Sequence, residues 1–494
     1  MVMMRLKSLL FVSCMLVQFS FAFAQIATKS TVKGASQPNI IYILVDDMGY
    51  GDLSSYGQKH FSTPTLDSLA KTGIRFTDHY AGSPVCAPSR ASLLTGRDGG
   101  HSRVRGNYET SPLGFGSGLE LRPEDPTLAE VVKKAGYRTA LIGKWGLGMN
   151  STTGAPNKKG FDYFFGFLNQ AHAHTHYPDY LHRNMDKVDI PENKNGQNGK
   201  FSGDLFTNES LQYISQQKAE QPFFLYLAYI TPHAELIVPD DALFQSFKGK
   251  FDEIPFVGGK QGSNGTNSFG AYRSQSHPLA AYATMVMRID RDVQKIVNEL
   301  KKKGLAENTI IMFSSDNGPH KEGGSNPQAL NSSGGLRGAK RDVYDGGIRV
   351  PFIVNWPQGI KQPGRVSGHI SAFYDIMPTI ADLAGVDLKK NEIPTEGLSL
   401  LPTFRNQKSQ KQHQYLYWEF HENKIPDQAL RIGHWKGVRH GLDSAIELYD
   451  LSKDRAESNN IASQHPDIIK RMEEVLKTAR EPHEIWSLNK TGKP

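Results

Sequence analysis

Residues 39–45 (NIIYILV) are apolar at nearly every position, too continuously for a strand with one wet face, so they predict a strand buried on both sides. Such a strand requires a layer above it and a layer below. Comparable runs at 138–142, 222–229, 309–314 and 350–355 alternate with period-3.6 patterns at 65–72, 126–135 and 280–302. That alternation predicts an α/β fold, a mostly parallel central sheet with helices on both faces. With 494 residues, 38% of them hydrophobic, the chain can bury a large core and is not a disordered one. No internal repeat is visible.

The two ends read differently. Residues 1–24 have the form of a secretory signal: Arg5 and Lys7, an apolar stretch at 9–21, and the small-x-small site Ala22-Phe23-Ala24. Its apolar middle is shorter than the roughly 20 residues a membrane span needs, so no membrane span is expected and the mature protein is expected in the periplasm or secreted. Phe11-Val12-Ser13 is a poor lipobox, which disfavours lipid anchoring at Cys14. A polar lead-in (25–37) precedes the main domain (38–405), and the polar run 406–414 reads as a linker. Beyond it, strand-like runs at 415–420, 429–438 and 446–451 and a helix at 466–478 predict a small α+β subdomain (415–494) with an antiparallel sheet. The formal charge of +7 suits an anionic substrate, although such a surplus is usually just a solvated surface, and no nucleic-acid partner is expected.

Polar residues follow each buried strand: Asp46-Asp47, Lys144, His233 and Asp316-Asn317. Ligands of open parallel sheets bind outside the carboxyl ends of the strands, so these residues are expected to converge. Adjacent acids alone commonly mark a solvated turn. Asp46, Asp47, Asp316 and Asn317 together make an all-oxygen set suited to calcium, or less well magnesium, rather than zinc. Lys144 and Lys340 add positive charge. Once the signal is removed, Cys86 is the sole cysteine and no internal disulfide is possible. A lone cysteine is ordinarily a small buried hydrophobe. Here Pro84 and Pro88 bracket it at the start of a helix-compatible run, with Arg90 one turn on. That position favours an anion, and a thiolate nucleophile is one outcome. The Gly-, Ser- and Asn-rich stretch 258–275 is a surface loop or a pocket rim.

Cys86-Ala87-Pro88-Ser89-Arg90, continued by Leu93-Leu94-Thr95-Gly96-Arg97, resembles the C-x-P-S-R signature of the formylglycine-dependent type I sulfatases. The resemblance extends through Val45-Asp46-Asp47-Met48-Gly49-Tyr50-Gly51-Asp52, Gly143-Lys144-Trp145, Pro232-His233, Ser315-Asp316-Asn317-Gly318 and Lys340 with Tyr344-Asp345-Gly346-Gly347-Ile348-Arg349. Trp435-Lys436 and Glu447-Leu448-Tyr449-Asp450-Leu451 continue it to the C-terminal part. It implies an alkaline phosphatase-like α/β/α sandwich. It also implies that a maturation enzyme oxidises Cys86 to formylglycine, whose hydrate attacks the sulfur of a sulfated carbohydrate. By the same resemblance Asp46, Asp47, Asp316, Asn317 and the modified Cys86 hold Ca2+, and Arg90 orients the Cys86 side chain. Lys144, Lys340 and His233 bind the sulfate ester, and His233 or Lys340 protonates the leaving oxygen.

One position departs from the pattern. Many members read Lys-Trp-His-Leu-Gly where this chain reads Lys144-Trp145-Gly146-Leu147-Gly148, so the second base must come from elsewhere. His101 is a candidate, as are water and Asp47; a plain loop role for His101 is the alternative. The alternating histidines of 170–177 lack the cysteine or carboxylate partners of a zinc site. His172 and His174 are expected to face sugar hydroxyls, or else to sit in a solvated loop. The stretches 170–178 and 231–236 look like those of polysaccharide-acting relatives, which makes galactose or N-acetylgalactosamine units the candidate sugars. Two other functions compete: a phosphatase or phosphodiesterase of the same superfamily, which would carry a hydroxyl nucleophile in place of Cys86, and a catalytically silent glycan-binding homologue, which Gly146 alone favours.

Overall fold

The computed structural model describes residues 37–107, 110–111, 114–115, 118–258 and 272–488. The signal at 1–24 and the lead-in up to residue 36 lie outside them, as does most of the loop at 258–275.

The expected central strand is β1 (Asn39–Val45), buried at all its positions. The other strands of its sheet are β2 (Ile74–Phe76), β3 (Arg138–Lys144), β4 (Tyr163–Phe167), β5 (Tyr180–Arg183), β6 (Asp186–Asp189), β7 (Phe223–Ala228), β8 (Thr309–Ser315), β9 (Phe352–Asn355) and β10 (Arg365–Ser367). Their order is β10-β2-β9-β8-β1-β7-β3-β4-β5-β6. The core β8-β1-β7-β3-β4 is parallel throughout. Antiparallel pairs β8/β9, β9/β2, β4/β5 and β5/β6 extend it toward both edges.

Side chains of β1 alternate between two cores, as the strand period of two requires. Ile41, Ile43 and Val45 join the cluster containing Leu66 of α1 (Pro64–Lys71), Phe206 of α4 (Ser202–Ser215) and Ile289, Val293 and Ile296 of α5 (Pro278–Lys302). Ile40, Tyr42 and Leu44 join the opposite cluster, with Leu93 of α2 (Cys86–Thr95), Val131 of α3 (Leu128–Lys133) and Met377 and Ile380 of α6 (Ile376–Ala384). The result is the expected α/β/α sandwich. Because β8 and β7 flank β1 on opposite sides, the loops leaving β1, β7 and β8 open a crevice at their carboxyl ends.

The C-terminal sheet has four strands, β11 (Leu416–Phe420), β12 (Asp427–Ile432), β13 (Trp435–His440) and β14 (Glu447–Asp450), all antiparallel, followed by α7 (Pro466–Leu476). The run read as one strand at 429–438 is a hairpin, turned at Gly433 in the left-handed region (φ 59°), a conformation open to glycine without penalty. From Gln37 onward the chain clusters as one compact unit. Trp418 Nε1 donates to Ala81 O at 2.8 Å, and the buried Lys436 Nζ reaches Asp345 at 2.9 Å and Glu457 at 3.2 Å. Within the polar stretch 406–414, Gln410 Oε1 accepts from Thr403 N (3.0 Å) and His413 Nε2 meets Asp375 Oδ1 (2.7 Å).

Candidate active site

The chain leaves β1 through Asp46 and turns at Asp47, which holds a left-handed backbone (φ 63°) uncommon for a residue with a side chain. Its N–H donates to Asp316 Oδ1 at 3.0 Å, and Met48 N–H donates to Ser315 Oγ at 2.8 Å. The ends of β1 and β8 are thereby fastened together. Val85, in extended conformation, caps α2, and Cys86 is the first residue of that helix. Ser89 Oγ and Arg90 Nε hold α2 to the end of β8, through Asp316 O (2.5 Å) and Asp316 Oδ2 (2.9 Å). Arg90 also reaches Asp46 Oδ2 (3.3 Å).

Cys86 Sγ lies 3.4 Å from Asp46 Oδ1. Lys144, the last residue of β3, places Nζ 2.7 Å from Asp46 Oδ2. On the other side Lys340 Nζ is 2.7 Å from Asp47 Oδ2 and 2.9 Å from His233 Nε2. The nine residues Asp46, Asp47, Cys86, Arg90, Lys144, His233, Asp316, Asn317 and Lys340 are all buried. Each expected strand-end group is present, and the structure brings them to one place.

Burial pushes the Cys86 thiol well up, and Asp46 adds to it, so the free cysteine is a thiol despite its seat at a helix N-terminus. Burial also opposes the charge on Asp46, but Lys144 and Arg90 outweigh it and hold that carboxyl well below the usual range. Burial and then Asp46 raise Asp316 to about 7, despite Arg90. His233 is driven well down by burial and by Lys340. Lys340 keeps its proton because Asp47 outweighs burial. These states fix the hydrogen bond: Lys340 donates to His233 Nε2, and His233 carries its proton on Nδ1, which bonds Ala234 O.

Asp46, Asp47, Cys86 and His233 can each bring a ligand atom within 4.8 Å of the others. Beside them Asn317 donates from Nδ2 to Asp47 Oδ1 (2.6 Å), while its buried Oδ1 has no hydrogen-bond partner among the described residues. A buried carbonyl oxygen without a donor, among carboxylates, is what a hard cation satisfies, so the residues present fit such an ion.

The other expected residues part company. His174 faces His233, ring centroids 4.6 Å apart. His172, two residues earlier, packs instead on Phe167 (4.9 Å) and Tyr180 (4.3 Å). Both lie in a 3-10 turn, which does not return alternate residues to one side as a strand would. His101 follows the far end of α2 and bonds Asp98 Oδ1 through Nδ1 at 2.7 Å; it does not join the cluster. Gly146 has φ 76°, and the space a side chain there would need is filled by the buried amide of Gln170.

Several neighbours carry no sequence motif. Glu322 lies 3.8 Å from Lys340 Nζ, accepts from Tyr272 Oη (2.9 Å) and pairs with Arg341. His320 stacks on His233 with centroids 5.8 Å apart, and His176 Nε2 bonds His233 O at 2.9 Å. The sequence signal for Glu322 and His320 is only proximity, on the same strand-end loop as Asp316, whereas His176 belongs to the alternating histidines of 170–177.

The family model described as Sulfatase matches residues 38–386, and one described as N-sulphoglucosamine sulphohydrolase, C-terminal, matches 338–482. An N-acetylgalactosamine-6-O-sulfatase of Bacteroides thetaiotaomicron is 29% identical, over 92% of this chain and 95% of its own. The N-acetylgalactosamine-6-sulfatase of Mus musculus is 32% identical, over 87% and 77%. A crystal structure of Ps i-CgsB in complex with k-i-k-neocarrahexaose superposes with a TM-score of 0.71 at 27% identity, over 90% of this chain and 92% of that one.

Proposed function

Since this chain belongs to the sulfatase family and hydrolyses sulfate esters of carbohydrates, we propose that its nucleophile is formylglycine made from Cys86, and that its substrate carries sulfated galactose or N-acetylgalactosamine units. The observation that carries the nucleophile is the state of Cys86: a buried thiol with its pKa driven up, at the focus of Arg90, Lys144, Lys340 and His233. A thiol so placed is a poor nucleophile but sits where a sulfate ester would be held. The N-acetylgalactosamine-6-sulfatases among the relatives support the sugar.

Formylglycine, once made, supplies a hydrated aldehyde with one hydroxyl to attack sulfur and a second whose deprotonation re-forms the carbonyl and releases sulfate. A divalent cation held by Asp46, Asp47, Asp316, Asn317 and residue 86 would supply positive charge against that nucleophile and the sulfate oxygens. The chain's own groups do the remaining work. Lys144 and Lys340 enter from opposite sides and bind sulfate oxygens, held in place by Asp46 and Asp47. Arg90 is fixed by two carboxylates and orients residue 86. The leaving oxygen takes its proton from Lys340, the charged member of the Lys340–His233 pair, and His233 Nε2 orients that ammonium by accepting from it. Burial of the whole set keeps bulk water out and strengthens each charge interaction. Residues 1–24 serve as a secretory signal in this account, and no helix among the described residues is long and apolar enough to cross a membrane.

The test is a side-by-side assay of matured protein on N-acetylgalactosamine 6-sulfate, galactose 6-sulfate, an aryl sulfate and the corresponding phosphate esters. Release from the sugar sulfates is expected to exceed release from the phosphates by orders of magnitude. Preference for phosphate would refute the proposal, and sugar sulfate binding without turnover would assign the chain to the silent glycan binders.

A further inference from the structure

Away from the crevice, a cavity of about 240 Å³ opens where the loop following α2 meets the C-terminal segment beyond α7. Arg103, Arg105, Arg122, His101 and His483 line it, with Glu481 and Glu484 at the same wall. Three guanidinium groups line one small cavity, each already paired with an acid (Arg105 with Glu419, Arg103 with Glu484, Arg122 with Asp125), so an anion that enters has to displace a carboxylate from one of them.

The three arginines differ in freedom. Arg105 is a fixed wall: it is buried, bonds Ser102 O (2.9 Å) and Glu481 O (3.1 Å), and pairs with the buried Glu419 (3.1 Å). Among the described residues Arg103 has one ion-pair partner, Glu484, whose side chain is 68% exposed, and its buried Nε has no hydrogen-bond partner. Arg122 is half-exposed, held by Asp125 through Nη2 (2.8 Å) and Nε (3.1 Å) and by the exposed Glu124 (3.4 Å), so an anion there competes with partners at the protein surface. Arg103 and Arg122 are therefore the two cations an incoming anion can take over.

We propose that this cavity is a second anion site, which holds a sulfate group of the sulfated polysaccharide without hydrolysing it. The proposal rests on the sulfatase reading above. A sulfate group matches the fork of a guanidinium, as carboxylates and phosphates do. The one hydroxyl in the lining, that of Ser102, is tied to the Val104 backbone (Oγ to O at 3.1 Å, N to Oγ at 3.3 Å), and no cation-ligand set accompanies it, so a sulfate bound there stays intact. The depressed His483, pushed to about 4 by burial and then by Arg105 and Arg103, reports the same positive field. The location suits a polymer. The lining loop starts beyond the far end of α2, whose ten residues span about 15 Å, and returns to its near end, where Asn107 Oδ1 accepts from Ala87 N at 3.3 Å. The loop that carries Arg103 and Arg105 is thus fastened at Asn107 to the residue next to Cys86, and in the proposal one polymer chain reaches both places.

The test measures binding of inorganic sulfate and of chondroitin 6-sulfate disaccharide and hexasaccharide to full-length Cys86→Ala protein, by calorimetry at two salt concentrations. Arg103→Gln/Arg122→Gln is expected to weaken hexasaccharide about tenfold or more and leave the disaccharide unchanged, since each lost contact is charge-assisted. Glu484→Gln removes the competing carboxylate and is expected to tighten hexasaccharide severalfold, a gain a misfolded variant would not show. In the active enzyme the double substitution should raise KM for the hexasaccharide and leave kcat and aryl sulfate turnover as they were. Loss of inorganic sulfate binding alone would assign the cavity to the released product and overturn the polymer proposal. Unchanged affinities in both variants, or a wild-type cavity that takes none of the probes, would overturn the site. If the enzyme cleaves no sulfate ester at all, the binding arm still reads, which separates the two failures.

Discussion

Replacing Gly146 with alanine should destabilise the protein by about 2–5 kcal/mol, for two separable reasons. At φ 76° a residue with a Cβ pays about 1–2 kcal/mol for the left-handed conformation. The new Cβ would also stand 2.2 Å from Gln170 Nε2 and 2.6 Å from its Cδ, far inside ordinary contact, and moving a buried amide out of the way costs about 1–3 kcal/mol. Gly146 lies two residues beyond Lys144, so displacement there should also lower kcat/KM. A double-mutant cycle with Gln170→Ala isolates the packing part. Substituting Gln170 removes the collision but not the backbone penalty, so the cycle should show a coupling of about 1–3 kcal/mol with a residue of about 1–2 kcal/mol left over. Urea unfolding with equal m-values in all four proteins is the assay. A Gly146→Ala protein within about 0.5 kcal/mol of wild type, or an additive cycle, would refute the account of why glycine stands at position 146.

Removing divalent cations with EGTA should lower the melting temperature of wild type, since an ion at a hundred times its Kd contributes about 2.7 kcal/mol, while Asn317→Ala should be nearly insensitive; equal shifts in both would contradict the ligand set. Arg90→Lys should cost about 10–100-fold in kcat/KM, because one ammonium cannot span Asp46 and Asp316 as the guanidinium does; steady-state kinetics read it. Burial works against the Glu419 carboxylate, but His421, Arg105 and Arg480 hold it down at about 2, against an ordinary 4.5. A depressed acid stabilises above its unfolded pKa and loses that stabilisation as pH falls, so between pH 4.5 and 2 wild type should lose about 3 kcal/mol relative to Glu419→Gln. Parallel pH-stability curves for the two would sink that assignment.

Much of the fold could be read because β1, β3, β7 and β8 are buried on both faces, which writes them into the sequence as unbroken apolar runs. The edge strands could not: β5 (YLHR) and β6 (DKVD) are short, polar and half-wet, and nothing in composition separates them from a loop. The hairpin at Gly433 was hidden because β12 and β13 join through only two residues, leaving one seemingly continuous run. At the site, Asp46, Lys144, His233 and Asp316 were legible from their places after strands. Glu322, Tyr272 and Gln170 act through side-chain contacts that span tens of positions or fill a neighbour's missing volume, and no local pattern encodes those. The histidines at 172 and 174 show the converse. Their alternate spacing suggested one shared face, but a 3-10 turn sends one toward His233 and the other into the aromatic core.

The account turns on what residue 86 has become in the working enzyme. The most direct measurement is the mass of the proteolytic peptide spanning Ser83–Arg97 from protein of known specific activity, matured in its host. The account predicts an aldehyde, a peptide lighter by the difference between –CH2SH and –CHO, in a fraction that tracks activity across preparations. Fully active protein whose peptide carries only the intact cysteine would contradict it.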